Sequence, residues 1–191
     1  MKRTESLPEG YNEYYSIDLQ KNKKISVLVN GLSVLIMVVM VISMNFLVPV
    51  STFWNDETDF FVLAVKFISV FVSLLLYIVL HELVHGIAMK ICGTKKVKYG
   101  FTGLYAFAGS EDYYSKGAYI FIALAPVVLW GVVLAVLKFI VPIEWFWVVY
   151  IVQISNIGGA AGDFFVTVKF SRFPKDILVK DHGVGMTVYS K

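Results

Sequence analysis

Charge is scarce in this sequence, and cysteine is almost absent. Asp, Glu, Lys and Arg make up 16% of the 191 residues, against about 25% in an ordinary soluble domain. So small a charged complement cannot both cover a water-facing surface and separate the long apolar stretches, which argues against a soluble globular domain. The one cysteine, Cys92, excludes an internal disulfide and any C-x-x-C metal knuckle. No glycine-rich phosphate loop, dinucleotide fingerprint or zinc-finger spacing occurs. The lysines flank apolar runs instead of forming a patch of their own, so nucleic acid is not an expected partner. A secretory signal is not expected either. The first 24 residues are polar and tyrosine-rich, the apolar run after them is too long, and no small-residue cleavage site follows it.

What is present is apolar, at 58% of the chain. Each membrane span needs about 20 residues, and four runs qualify. They cover Ile25 to Val48 (closed by Pro49), Phe60 to Ala88, Gly117 to Ile140 with Pro126 inside, and Ile143 to about Phe165. Lys66 interrupts the second near its start. Trp145 and Trp147 open the fourth, where an interfacial aromatic belt would sit. Neighbouring helices can satisfy the carbonyl that Pro126 frees.

Lys21, Lys23 and Lys24 precede the first run, Lys90, Lys95, Lys96, Lys98 and Lys116 lie between the second and third, and Lys169, Arg172 and Lys175 follow the fourth. The two opposite loops are poor in base, one carrying Asp56, Glu57 and Asp59, the other flanked by Lys138 and Glu144. The positive-inside rule then puts both termini and the middle loop in the cytoplasm. The expected fold class is an all-α polytopic membrane protein of about four transmembrane helices, with a small cytoplasmic β-hairpin-like loop between spans two and three. A cytoplasmic arm over 1–24, a four-span core over 25–165 and a cytoplasmic tail over 166–191 follow from this division.

The second run ends in His81-Glu82-Leu83-Val84-His85. That spacing puts two imidazoles on one helix face with a carboxylate beside them. Zinc takes such a pair plus a third ligand and keeps a position open, and the glutamate serves as general base toward water. Ionisable groups inside a span are costly and mark a site or pathway.

The third ligand belongs on another span at the same depth. Asp163 fits, at the end of Asn156-Ile157-Gly158-Gly159-Ala160-Ala161-Gly162-Asp163, and one expected copy of zinc per chain would be held by His81, His85 and Asp163. Glu111, Asp112 and His182 are its rivals. Asn156 lies seven residues, or two helical turns, before Asp163, so the two share a face. It either bonds across helices or faces substrate as an oxyanion donor, and Gln153 has a weaker claim. The pairs Gly158/Gly162 and Ser155/Gly159 are small residues that let helices approach closely.

Val97 to Ala108 alternates large apolar residues with small or polar ones, which predicts a strand or a hairpin broken near Gly103. Such an edge could pair with an extended substrate or lie on the membrane surface. The tail from Asp176 to Tyr189 shows two short strand-like pieces around a glycine-containing turn.

These residues together resemble the membrane-bound zincins, specifically a bacterial family of zincin peptidases, over about Ile25 to Asp163 and into the tail. The layout is more distantly similar to the core of site-two intramembrane proteases. The resemblance implies that His81 and His85 are ligands, Glu82 the base, Asp163 the third ligand and Asn156 a substrate-facing or oxyanion residue. It also implies a multi-pass protein of the bacterial cell membrane. Site-two proteases carry an Asn-Pro pair before Asp-Gly, whereas here Ile157 follows Asn156 and Phe164 follows Asp163. The expected activity is zinc-dependent hydrolysis of a membrane or membrane-proximal protein at the cytoplasmic side. Cobalt and iron also suit such ligands. A non-catalytic scaffold that retains the metal site is the alternative.

Overall fold

A computed structural model describes residues 3–18, 21–54, 58–103, 106–183 and 185–191. Asp56 and Glu57 lie outside the described residues. In chain order the elements are β1 (Arg3–Thr4), β2 (Asn12–Asp18), α1 (Lys23–Asn45), α2 (Phe60–Ile91), β3 (Lys98–Phe101), β4 (Ala106–Gly109), β5 (Tyr113–Ser115), α3 (Lys116–Ile140), α4 (Phe146–Gly159), α5 (Ala161–Ser171), β6 (Leu178–Asp181) and β7 (Gly185–Ser190). Four helical stretches are long and apolar enough to cross a membrane: Lys23–Asn45, Phe60–Ile91, Lys116–Ile140 and Ile143–Ser171.

Local chemistry sets the helix ends. Asn22 accepts from the Ile25 N–H at 3.2 Å to open α1, and Asp59 accepts from the Phe61 N–H at 2.7 Å to open α2. Helix α2 stops where Gly93 turns to φ +104° and the Thr94 N–H reaches back to the Met89 carbonyl, a closure only glycine enters without strain.

Two expectations need correction. The chain is not all-α. Besides the hairpin β3–β4, it builds a five-stranded antiparallel sheet in the order β1-β5-β6-β7-β2, drawn from the N-terminal arm, the middle loop and the tail. The fourth stretch is also not one helix, because α4 ends at Gly159 and α5 begins at Ala161. Asn156 and Asp163 therefore lie on different helices, and the shared-face argument fails. The Gly158-Gly159 pair is the physical reason, since glycine is the poorest non-proline helix former.

The chain divides into two compact units. The first comprises Met1–Val29, Leu80–Pro126 and Gly162–Lys191, and contains both sheets. Its core includes Met89, Tyr114, Ile122, Phe170, Val179 and Val188. Tyr114, Val179 and Val188 form one row of cross-strand partners and are each fully buried. Burying each valine contributes about 1.5–3 kcal/mol.

The second unit comprises Asn30–Val79 and Val127–Ala161 and is helical. Lys66 is buried within it, donating to the Phe53 carbonyl at 2.8 Å with the Phe53 ring centroid at 5.4 Å, which is how a lysine is tolerated in an apolar run. Trp147 is buried too, with its Nε1–H on the Pro49 carbonyl at 3.2 Å. Of the small residues flagged in the fourth stretch, Gly158 takes a close approach, from Met37 and the Ser33 carbonyl, while Gly162 faces open space.

Candidate metal centre

His81 and His85 project from consecutive turns near the end of α2, and Asp163 from the first turn of α5. The helix break at Ala160 is what gives Asp163 this place, since a carboxylate is favoured at a helix start. All three side chains are mostly buried, with 12%, 12% and 22% of their surfaces exposed.

Their donor atoms converge. His85 Nε2 lies 3.2 Å from His81 Nε2. Asp163 places one carboxylate oxygen 3.5 Å from His81 Nε2 and the other 3.7 Å from His85 Nε2. A tetrahedral zinc ion about 2.0–2.1 Å from each donor sets its donors about 3.3–3.4 Å apart, so the spacing fits such an ion. The tautomer agrees. His85 Nδ1 lies 3.0 Å from the Ile122 carbonyl, which can only accept, so Nδ1 carries the proton and Nε2 presents its lone pair to the cluster. A second nitrogen and a carboxylate face that lone pair, a set of donors that could hold a cation. Among the described residues, this is the group of three His, Cys, Asp or Glu side chains whose geometry could hold a metal.

Glu82 stands beside this group, half-buried, and its carboxylate accepts from the backbone N–H of Ala108 on β4. The hairpin β3–β4 thus lies against the motif helix. Tyr99, the cross-strand partner of Ala108, rests its hydroxyl on Gly86, and a Cβ at Gly86 would collide with it. Glu82 and Gly86 share a helix face, so one side of α2 carries the hairpin.

The rivals to Asp163 are engaged elsewhere. Glu111 pairs with Lys98 at 2.8 Å and Lys180 at 3.1 Å, and these lysines hold its carboxyl down at about 2. Asp112 pairs with Arg3 at 2.9 Å. His182 is exposed and lies outside the cluster. Asn156 is fully buried within the second unit, donating to the Val127 carbonyl at 3.1 Å and accepting from the Tyr77 hydroxyl at 2.9 Å. That is the cross-helix bonding left open at the outset beside a substrate-facing role. Gln153 is also buried, with its Oε1 unpartnered.

Three contributors were missed. The Ile122 carbonyl and the Ala108 N–H are backbone groups, invisible as residue types. Asp181 accepts from the Tyr119 hydroxyl at 2.8 Å and the Gly183 N–H at 2.7 Å. Burial pushes its carboxyl above the usual carboxylate range, and these two donors with the nearby His85 offset that in part. A half-buried acid at the end of a four-residue strand leaves no sequence signal.

An H-E-x-x-H turn completed by a carboxylate from another helix is the donor arrangement of a zincin-type metal centre. The chain belongs to the family described as "putative zincin peptidase", whose profile matches residues 74–178, more than half its length. That span holds both histidines, Glu82 and Asp163. No curated protein and no solved structure matches the chain.

Proposed function

We propose that this protein is a zinc peptidase embedded in a membrane, cleaving a membrane or membrane-proximal protein at the cytoplasmic side. The observation that carries the reading is the convergence of His81, His85 and Asp163 at the spacing of a tetrahedral cation, with Glu82 on the same turn. Four helices of spanning length support the membrane setting, and the lysines between and beside them support cytoplasmic termini and a cytoplasmic middle loop.

His81, His85 and Asp163 would hold the ion. Zinc bound there supplies a Lewis acid that polarises a peptide carbonyl and makes water a better nucleophile at neutral pH. Glu82 takes a proton from the water that attacks the carbonyl carbon and delivers it to the leaving amine nitrogen as the C–N bond breaks. Strand β4 has β3 on one edge and no strand on the other among the described residues. An extended substrate segment lying along β4 would run past Ala108 and Glu82. A transmembrane substrate must therefore unwind locally before it is cut. Asn156 enters this reading as a tie between helices, supported by its two hydrogen bonds.

Metal analysis of the detergent-purified chain tests this. About one zinc per chain is expected in the wild type and in Glu82→Gln, and none in His81→Ala or Asp163→Ala. A wild type that stays metal-free when purified and reconstituted with zinc overturns the reading. Zinc bound without hydrolysis of any membrane-protein substrate favours a metal-bearing scaffold.

A further inference from the structure

Helix α3 carries a proline in its interior, Pro126, and the carbonyl this proline affects is the one that holds His85. In an α-helix the carbonyl of residue i accepts from the N–H of residue i+4. For Ile122 that residue is Pro126, which has no N–H and whose ring crowds the same carbonyl and pushes it off the helix axis. Both residues are buried, Ile122 at 2% exposure and Pro126 below that, so water does not reach the freed oxygen. A buried carbonyl without a donor is costly. The donor it has is His85 Nδ1, at 3.0 Å.

We propose that Pro126 is a positioning residue of the metal centre, reserving the Ile122 carbonyl for His85 and thereby fixing the tautomer and ring orientation that aim His85 Nε2 at His81 and Asp163. This rests on the metal-ligand reading above. The proline does not touch the metal or substrate; it acts through one backbone oxygen. Any other residue at 126 restores the helical N–H. That N–H competes with Nδ1 for the oxygen, and without the ring the carbonyl swings back into line with the helix. His85 is then free to change tautomer or turn. Partners that orient a histidine ligand in this way contribute about 10–100-fold in metal affinity.

The proposal predicts opposite signs for two measurements on one variant. Alanine suits a helix interior far better than proline. In the full chain purified in detergent, Pro126→Ala should keep or raise the thermal midpoint of the metal-free protein. Its zinc Kd, measured by competition with a chelator, should rise about tenfold or more. Pro126→Gly, which restores the N–H without the helix propensity, should weaken zinc similarly. Zinc affinity within twofold of wild type in both variants overturns the proposal. So does weakened affinity that merely accompanies a fallen midpoint of the metal-free protein in both.

Nitrogen NMR of histidine-labelled, metal-free protein reads the hydrogen bond itself. A protonated, bonded Nδ1 at His85 is expected in the wild type and should be weakened in Pro126→Ala; an unchanged signal overturns the proposal. If the wild type binds no zinc, the peptidase reading falls, and this spectrum alone decides whether Pro126 sets the state of His85.

Discussion

Each unit of the molecule contains a buried polar knot, and the two are closed in different ways. In the helical unit, Tyr77, Asn156 and the Val127 carbonyl form donor–acceptor pairs at 2.9 and 3.1 Å. Each bond has a proton at one end and a lone pair at the other, so the knot is complete as it stands. In the sheet-bearing unit, the donor atoms of His81, His85 and Asp163 gather at 3.2–3.7 Å. With its Nδ1 on the Ile122 carbonyl, His85 turns Nε2 toward the His81 ring nitrogen and the Asp163 carboxylate. The first pattern ties helices together. The second gathers three side chains that could hold a cation. Distance alone does not separate them; the chemistry of the side chains that meet does.

The sharpest way to break this comparison is to attack the base. Glu82→Gln should lower hydrolysis about 10²–10⁴-fold while leaving zinc content and the unfolding midpoint unchanged. Loss of zinc with activity would make Glu82 part of the cation site.

Gly86→Ala comes next. The new methyl displaces Tyr99 and with it the hairpin beside Glu82. Hydrolysis should fall by up to about 10²-fold, the scale of a misplacement near 1 Å, with zinc retained. Removing the Tyr99 ring in the same chain should recover much of the loss, and its failure to do so separates Gly86 from the hairpin.

Asn156→Ala should act on stability alone, costing about 2 kcal/mol for the two buried hydrogen bonds it removes, with zinc Kd within twofold of wild type. A tenfold weaker Kd would draw Asn156 back into the metal chemistry.

The smallest effect is expected from Glu111→Gln. Lys98 and Lys180 hold the Glu111 carboxyl at about 2, below its unfolded value. Its stabilisation is therefore present above pH 4.5 and is lost as pH falls toward about 2. The variant should unfold slightly earlier than wild type at pH 7 and together with it near pH 2. The group is exposed and screened, so a large gap at pH 7 would contradict the assignment.

What could be read from residues alone follows the range of the interactions. The four apolar stretches and the histidine pair are local patterns, and both reappear in the fold. The hairpin over Lys98–Phe101 and Ala106–Gly109 was legible from its period of two. The larger sheet was not. Its members are as short as Arg3–Thr4 and Tyr113–Ser115, and they pair with strands more than a hundred residues away or across separate loops. The Asn12–Asp18 strand is mostly polar, with a bulge between Glu13 and Tyr15 that interrupts any alternation. Gly158 and Gly159 carried two signals, close packing and a helix end; the first was read and the second missed. At the site, Pro126 was visible as a proline in an apolar run, but its link to His85 passes through a carbonyl that every residue possesses.

The sheet has a consequence for the order in which the molecule is made. Asn12 pairs with Ser190 and Asp18 with Gly185, and β5 must wait for β6. On the ribosome the helices can form as they emerge, whereas the sheet closes after residues 178–190 have been synthesised. The turn between β6 and β7 also braces the motif: Gly183 packs on Phe107, and its amide nitrogen lies 3.3 Å from where a Cβ on Gly109 would stand, on either side of the Ala108 N–H that meets Glu82. A nascent chain thus carries both histidines long before it carries the support for their neighbouring carboxylate.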